Sequence, residues 1–362
     1  MFLNTKGLLQ RVLNHKKASA AKVLIIYFGV PGIFCNGCSA DRQAEKDSLL
    51  ETFTNPIVDE GADPWVIRWQ NHYLYCYSKN EKIRVSRSDR LEEIGDGAGT
   101  VVWKPEVGQS YSYDLWAPEL HYLDEKWYIY VAADDGQNAN HRMYVLESMT
   151  QNPQDPFILK GRIATPDDHW AIDGTVLKMS DGQLYFIWSG WEGVVNTYQH
   201  LYIAAMDNPW TVNGKRVLIS SPQYDWEKVG DPLVNEGPEV LIKDTAIHLI
   251  YSASGSWTDD YCLGRLTLIG DDPLEAENWI KHPQPVFQKT DLVFGPGHAS
   301  FVKSPDGKED WIIYHAAKYS GAGWDRDVRM QKFSWRIDGT PEFGRPVPAG
   351  IALRVPSGYE NK

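Results

Sequence analysis

Cysteine is scarce: four occur in 362 residues. Cys76 and Cys262 lie far apart in strand-like runs, which excludes a disulfide framework and reads both as buried single thiols. Cys35 and Cys38 have the C-x-x-C spacing of a redox or zinc pair, but no second pair exists to complete a zinc site. The apolar run at 23–34 is too short to span a bilayer as a helix. Amphipathic helical stripes are scarce. Also missing are a phosphate-cradling G-x-x-x-x-G-K-[ST], an H-E-x-x-H zinc helix, a G-x-S-x-G nucleophile elbow and a dinucleotide fingerprint after a strand.

Positive charge is in short supply too. The formal net charge is −12, and the five basic residues of 1–37 (Lys6, Arg11, Lys16, Lys17, Lys22) meet no acid, so the remainder carries −17. That balance repels phosphate backbones, excludes nucleic acid and disfavours an anionic polysaccharide. What is present in excess is aromatic: 15 Trp and 19 Tyr, which fill cores and also stack on the apolar faces of sugars. The partner to expect is neutral.

The N-terminal 37 residues read as a signal peptide, basic first and then apolar. The Phe34-Cys-Asn-Gly-Cys38 stretch resembles a loose bacterial lipoprotein cleavage site, which would leave Cys38 lipidated. Membrane contact is expected only through that anchor, on an exported protein. Residues 38–54 then form a linker, 55–350 the folded domain and 351–362 a C-terminal tail.

One pattern recurs five times within 55–350. Each copy opens on a small or acidic residue and a short apolar strand, then an aromatic-rich alternating strand, then a third apolar strand. The openings are Asp63, Ala117, Asp173, Gly237 and His298, at steps of 54, 56, 64 and 61. Each step fits three or four strands with turns and leaves no room for helices. A solenoid would need shorter, more uniform repeats, and a two-sheet sandwich has no reason to repeat five times. The expected fold is an all-β, five-bladed β-propeller.

In a propeller the first strand of every blade lines the central channel. Asp63, Ala117, Asp173, Glu236 (one residue before Gly237) and His298 should therefore meet at one mouth. Three carboxylates gathered there lose solvation and repel, a cost that usually serves function. Any one of them could merely cap a strand turn; all three in register could not easily do so. Paired carboxyls suit glycoside cleavage, one protonating the leaving oxygen and the other activating water or attacking directly.

Ala62-Asp63-Pro64, Trp116-Ala117-Pro118-Glu119, Ile172-Asp173-Gly174 and Glu236-Gly237-Pro238-Glu239 resemble, in order and spacing, the blade-start motifs of the family 43 glycoside hydrolases. The resemblance implies an inverting hydrolase on neutral plant-type oligo- or polysaccharides, releasing α-L-arabinofuranosyl units; a β-xylosidase or other furanosidase is the nearest alternative. A non-catalytic glycan-binding propeller is the alternative of another class. It assigns Asp63 as general base, Glu236 as general acid and Asp173 as the residue that orients the acid and raises its pKa. Glu239 is the rival acid, and the family pattern favours Glu236. The chemistry needs no cofactor. His298 falls where some members coordinate a central cation, often calcium, mostly through water; a plain hydrogen-bonding role is the alternative. Arg329 matches a substrate-contacting arginine of the fifth blade, with a salt-bridging role as alternative. Trp116 and Trp191 are candidate sugar platforms, and Asp134-Asp135 and Asp259-Asp260 read as solvated turn residues.

Overall fold

The strongest β signal lies in the second strand of each repeat, such as Lys-Trp-Tyr-Ile-Tyr-Val-Ala-Ala-Asp at Lys126–Asp134, where every residue after the lysine is buried. In a strand, successive side chains point to opposite faces, so such a run can be buried only if both faces are covered. The computed structural model describes residues 51–359 and shows how. Trp127, Ile129, Val131 and Ala133 pack against the preceding blade, while Tyr128, Tyr130 and Ala132 pack against the following one.

Five antiparallel blades follow one another along the chain. Blade one comprises Trp65–Trp69, His72–Ser78, Ile83–Ser88 and Thr100–Trp103. Blade two comprises Tyr113–Leu123, Lys126–Asp134, Arg142–Ser148 and Phe157–Ile163. Blade three comprises Ala171–Lys178, Leu184–Gly190, Tyr198–Asn208 and Thr211–Ser220. Blade four comprises Leu233–Lys243, Ala246–Ala253, Cys262–Leu268 and Trp279–Lys281. Blade five comprises Phe294–Lys303, Asp310–Ala317, Arg326–Trp335 and the short Pro341–Glu342. A brief parallel pairing of Tyr198 and Gln199 with Leu233 and Val234 joins blades three and four.

An apolar cluster fills each interface between neighbouring blades. Leu177, Ile187, Leu249 and Tyr251 join blades three and four; Leu241, Ile250, Ile312 and Tyr314 join four and five. Ile313, Val328 and Met330 of blade five meet Val66, Tyr73 and Tyr75 of blade one, which closes the ring. Each fully buried side chain of this kind contributes about 1.5–3 kcal/mol relative to exposure, so the interfaces carry the stability. Cys76 and Cys262 are free and buried, as expected.

The last residues of the expected linker, from Glu51 on, and the described part of the expected tail are not separate from this fold. Thr52–Thr54 pairs antiparallel with Ala352–Arg354. Asn55, 2% exposed, exchanges two side-chain hydrogen bonds with the Met330 backbone, both 2.9 Å long. Tyr359 accepts the Leu91 N–H and donates to Glu92. The domain therefore extends beyond 55–350, over at least 51–359. The expected signal segment, with Cys35 and Cys38, lies outside the described residues.

The five repeat openings share one backbone conformation. Asp63, Ala117, Asp173, Gly237 and His298 all sit in the left-handed region, with φ of 48°, 42°, 53°, 52° and 45°. In blades two to five the strand register slips across this residue, so that two residues oppose one on the neighbouring strand. That is a β-bulge, which bends a strand and re-aims its side chains. A bulge lets two consecutive residues share a side, which is how Glu236, one step out of phase with the other openings, still joins them. At Gly237 a side chain would crowd its neighbour: a Cβ there would meet the His298 ring at 3.0–3.3 Å.

Candidate active site

Asp63 stands at the mouth with its side chain 26% exposed. Its backbone N–H donates to His315 Nδ1 at 3.1 Å. Its Oδ1 lies 3.2 Å from both His298 Nδ1 and His315 Nδ1, and 3.6 Å from an Arg326 terminal nitrogen. Burial alone would raise this carboxyl, but the two imidazoles and Arg326 outweigh it and hold Asp63 well below the usual carboxylate range. Burial also depresses both imidazoles, His315 to about 3. They are therefore neutral near pH 7, and the permanent charge facing Asp63 is the guanidinium of Arg326.

Glu236 has the opposite environment. It is 9% exposed, and burial first, then repulsion from Asp63, raise it to about 7 against the pull of Tyr261 and Arg326. The Tyr261 hydroxyl donates to its Oε1 at 2.9 Å. Asp173, 4% exposed, accepts the Gly237 N–H on Oδ2 at 3.0 Å and so grips the bulge next to Glu236. Burial, then the charges of Glu236 and Asp63, push Asp173 well above its ordinary value. Glu236 thus holds its proton up to about 7 and Asp173 is pushed in the same direction, while Asp63 stays ionised.

Two residues further along from Ala117 and Gly237, Glu119 and Glu239 stand close enough to repel each other. Glu119 is buried, contacts His121 Nε2 at 2.9 Å and is pushed well up by burial and then by Glu239. Trp116 flanks the mouth, 37% exposed, with one face stacked on His141 at 3.9 Å. His141 in turn meets Asp134 at 3.1 Å, both fully buried. Asp134 is therefore a structural acid and not the solvated turn residue expected, because it backs the ring beneath Trp116.

Two expected site residues lie elsewhere. Trp191 is 4% exposed and stacks on Trp170 at 4.7 Å and 11° within the interface of blades two and three, so it offers no open platform. Arg329 is 2% exposed and donates Nε and one terminal nitrogen to the two oxygens of Asp327, at 2.6 and 2.9 Å. Strand alternation explains this: Arg326 and Val328 point toward blade one, so Arg329 points the other way. Three residues escaped sequence reading: Arg326, His315 and Tyr261. His315 had a signal, being the one ionisable side chain at the end of the apolar run Trp-Ile-Ile-Tyr that precedes it.

A buried acid that keeps its proton, beside a carboxylate that loses it, in the mouth of a propeller with an exposed tryptophan, defines a glycoside hydrolase of the acid–base type. Comparison with known proteins agrees. The sequence pattern of Glycosyl hydrolases family 43 matches residues 53–341, and the chain belongs to this family. It is 38% identical over 315 residues to an extracellular exo-α-(1→5)-L-arabinofuranosidase of Streptomyces avermitilis, covering 83% of this chain and 65% of that protein. It is 35% identical to α-L-arabinofuranosidase 43 of Humicola insolens, covering 84% of this chain and 66% of that protein. The chain thus spans about two thirds of the length of these relatives. The crystal structure of an α-L-arabinofuranosidase from Lactobacillus brevis superposes with a TM-score of 0.77 at 35% identity, covering 83% of this chain and 98% of that one.

Proposed function

We propose that the chain is an exported, inverting exo-acting α-L-arabinofuranosidase that trims neutral plant-type oligo- or polysaccharides. The observation that carries the reading is the divergence of Asp63 and Glu236, one held ionised and the other held protonated to about 7. Asp63 is assigned as the general base. It takes a proton from a water whose oxygen forms the new bond to the anomeric carbon. The glycosidic C–O bond breaks on the opposite face, and Glu236 gives its proton to the departing oxygen. The step ends with Asp63 protonated, Glu236 ionised and the anomeric configuration inverted. Asp173 positions Glu236 through the Gly237 amide, and Trp116 backs the sugar ring. The arabinofuranosyl preference rests on the relatives named above, and export on the extracellular Streptomyces relative together with the basic and apolar N-terminal residues. Attachment to a membrane would follow from lipidation of Cys38.

A calcium ion ligated directly by side chains finds little to hold it among the described residues. No group of three or more His, Cys, Asp or Glu among the described residues is arranged to bind a metal, and calcium takes 6–8 oxygen ligands. His298 offers one nitrogen and already faces Asp63 with the other, so we assign it as a hydrogen-bond partner of Asp63. Exhaustive chelation should then leave kcat and Tm unchanged; a loss that added calcium restores would reverse this assignment.

The acid and base are separated by leaving-group demand. Glu236→Gln should lower kcat/KM on an arabinose disaccharide by about 10²–10⁴-fold, the usual contribution of a general acid, and far less on a nitrophenyl arabinofuranoside, whose phenolate leaves without a proton. Asp63→Asn should abolish turnover of both. Equal losses for the two variants on both substrates would refute the assignment. Wild-type preference for a nitrophenyl xyloside would make the chain a xylosidase, and a folded wild type that cleaves neither would leave a binding propeller.

A further inference from the structure

Most of the aromatic side chains of this protein are spent on the blade interfaces. Trp324 is not: it is 69% exposed, the most exposed tryptophan among the described residues, with Tyr319 five residues earlier at 58%. An isolated apolar side chain on a surface is ordinary. The setting of Trp324 is not, because the loop that carries it is tied down on the rim of the site.

Residues 318–325 connect the second and third strands of blade five and run directly into Arg326, which faces Asp63. Residues 254–261 make the same connection in blade four and end at Tyr261, whose hydroxyl holds Glu236. Four hydrogen bonds lace the two loops together. Asp259 accepts from Ser320 Oγ at 2.5 Å and from the Gly321 N–H at 2.8 Å. Trp324 Nε1 donates to Ser256 Oγ at 3.3 Å, and Arg326 donates to the Ser256 carbonyl at 3.1 Å. Trp257 supports the assembly from beneath, edge-on to Trp324 at 6.2 Å and leaning on the backbone of Gly255. The acidic pair expected to be a solvated turn is, at Asp259, the clasp between two blades. An indole fixed in this way loses little freedom when a ligand covers it.

The chemistry says which part of a substrate lies here. A general acid must touch the leaving oxygen, so the departing sugar sits beside Glu236, on the side of blade four. We infer that Trp324, supported by Trp257, is a stacking platform for the departing sugar unit, a subsite distinct from the Trp116 side of the mouth. The ligand class is a neutral furanose or pyranose ring with an exposed C–H face. The inference rests on the acid–base assignment proposed above.

The test compares two substrates that share a released sugar but differ in what leaves. Methyl α-L-arabinofuranoside loses methanol and has no second ring, whereas α-1,5-linked arabinobiose loses a sugar. Trp324→Ala should raise KM for the disaccharide about three- to tenfold, the usual worth of one aromatic stack, with kcat little changed. Kinetics on the methyl glycoside should not move, and Trp324→Phe should recover most of the loss. Equal effects on both substrates, or none on the disaccharide, would overturn the platform. If the wild type releases xylose instead, the sugar proposed above is wrong, and the matched pair of methyl xyloside and xylobiose tests the platform independently.

Discussion

The Tyr261 hydroxyl donates to one oxygen of Glu236, and a bond of that kind favours the ionised carboxylate. Burial and the charge of Asp63 work in the other direction and win, leaving the acid near 7. Glu236 must be protonated to act, so kcat/KM should fall as pH rises through about 7. Asp63 must be ionised, and its depressed pKa places the acid limb far below the range of an ordinary carboxylate. Tyr261→Phe removes the one hydrogen bond that favours ionisation, so the alkaline limb should move to higher pH while the acid limb stays in place. A pH–rate profile of the variant decides it, and a limb that shifts downward or not at all would mean the tyrosine serves some other purpose. His315 belongs to the same small network: its ring stacks on Tyr261 at 5.5 Å and touches Asp63, so one neutral imidazole braces the base and the partner of the acid.

At the scale of the strand, the left-handed bulge does the positioning. A non-glycine residue in that conformation costs roughly 1–2 kcal/mol, and this ring accepts the cost at Asp63, Ala117, Asp173 and His298. Gly237→Ala adds the same strain and also drives a methyl group against the His298 ring. The variant should be less stable by about 1–3 kcal/mol and should lose activity by turning His298 away from Asp63. Thermal melts and kcat read the two effects separately; an unchanged kcat in a folded variant would show that His298 does not need its place. The bulges also explain what could be read in advance. Asp173 and Glu236 were legible because the openings of their repeats coincide with the bulges, and Asp63 because it opens the first repeat in the same left-handed conformation. Arg326 was not, since which of two arginines three residues apart faces the channel depends on strand parity, and parity depends on where pairing begins. Trp191 misled because it precedes a glycine-bearing, polar stretch that reads as exposed, whereas Trp170, distant in sequence, covers it.

At the scale of the molecule, the five-bladed ring was legible from aromatic alternation on a repeating step, because a strand buried on both faces must be wrapped by neighbours. Its ends were not. Thr52–Thr54 and Ala352–Arg354 are three-residue strands, too short to show a period, and they exist only because each has the other to pair with. The Asn55 clamp on Met330 is equally silent in sequence, a single amide whose partner lies 275 residues away.

Aspartate, alanine, aspartate, glycine and histidine all adopt the same left-handed turn at the five openings, which means one main-chain turn serves to display chemically unlike residues. Scaffold and reagent are therefore separable in this molecule. The five seats share one backbone conformation, and their occupancy breaks the symmetry. Three reactive side chains and two small ones give a pseudo-fivefold ring a front and a back, and so a single direction in which a glycosidic bond can lie across it.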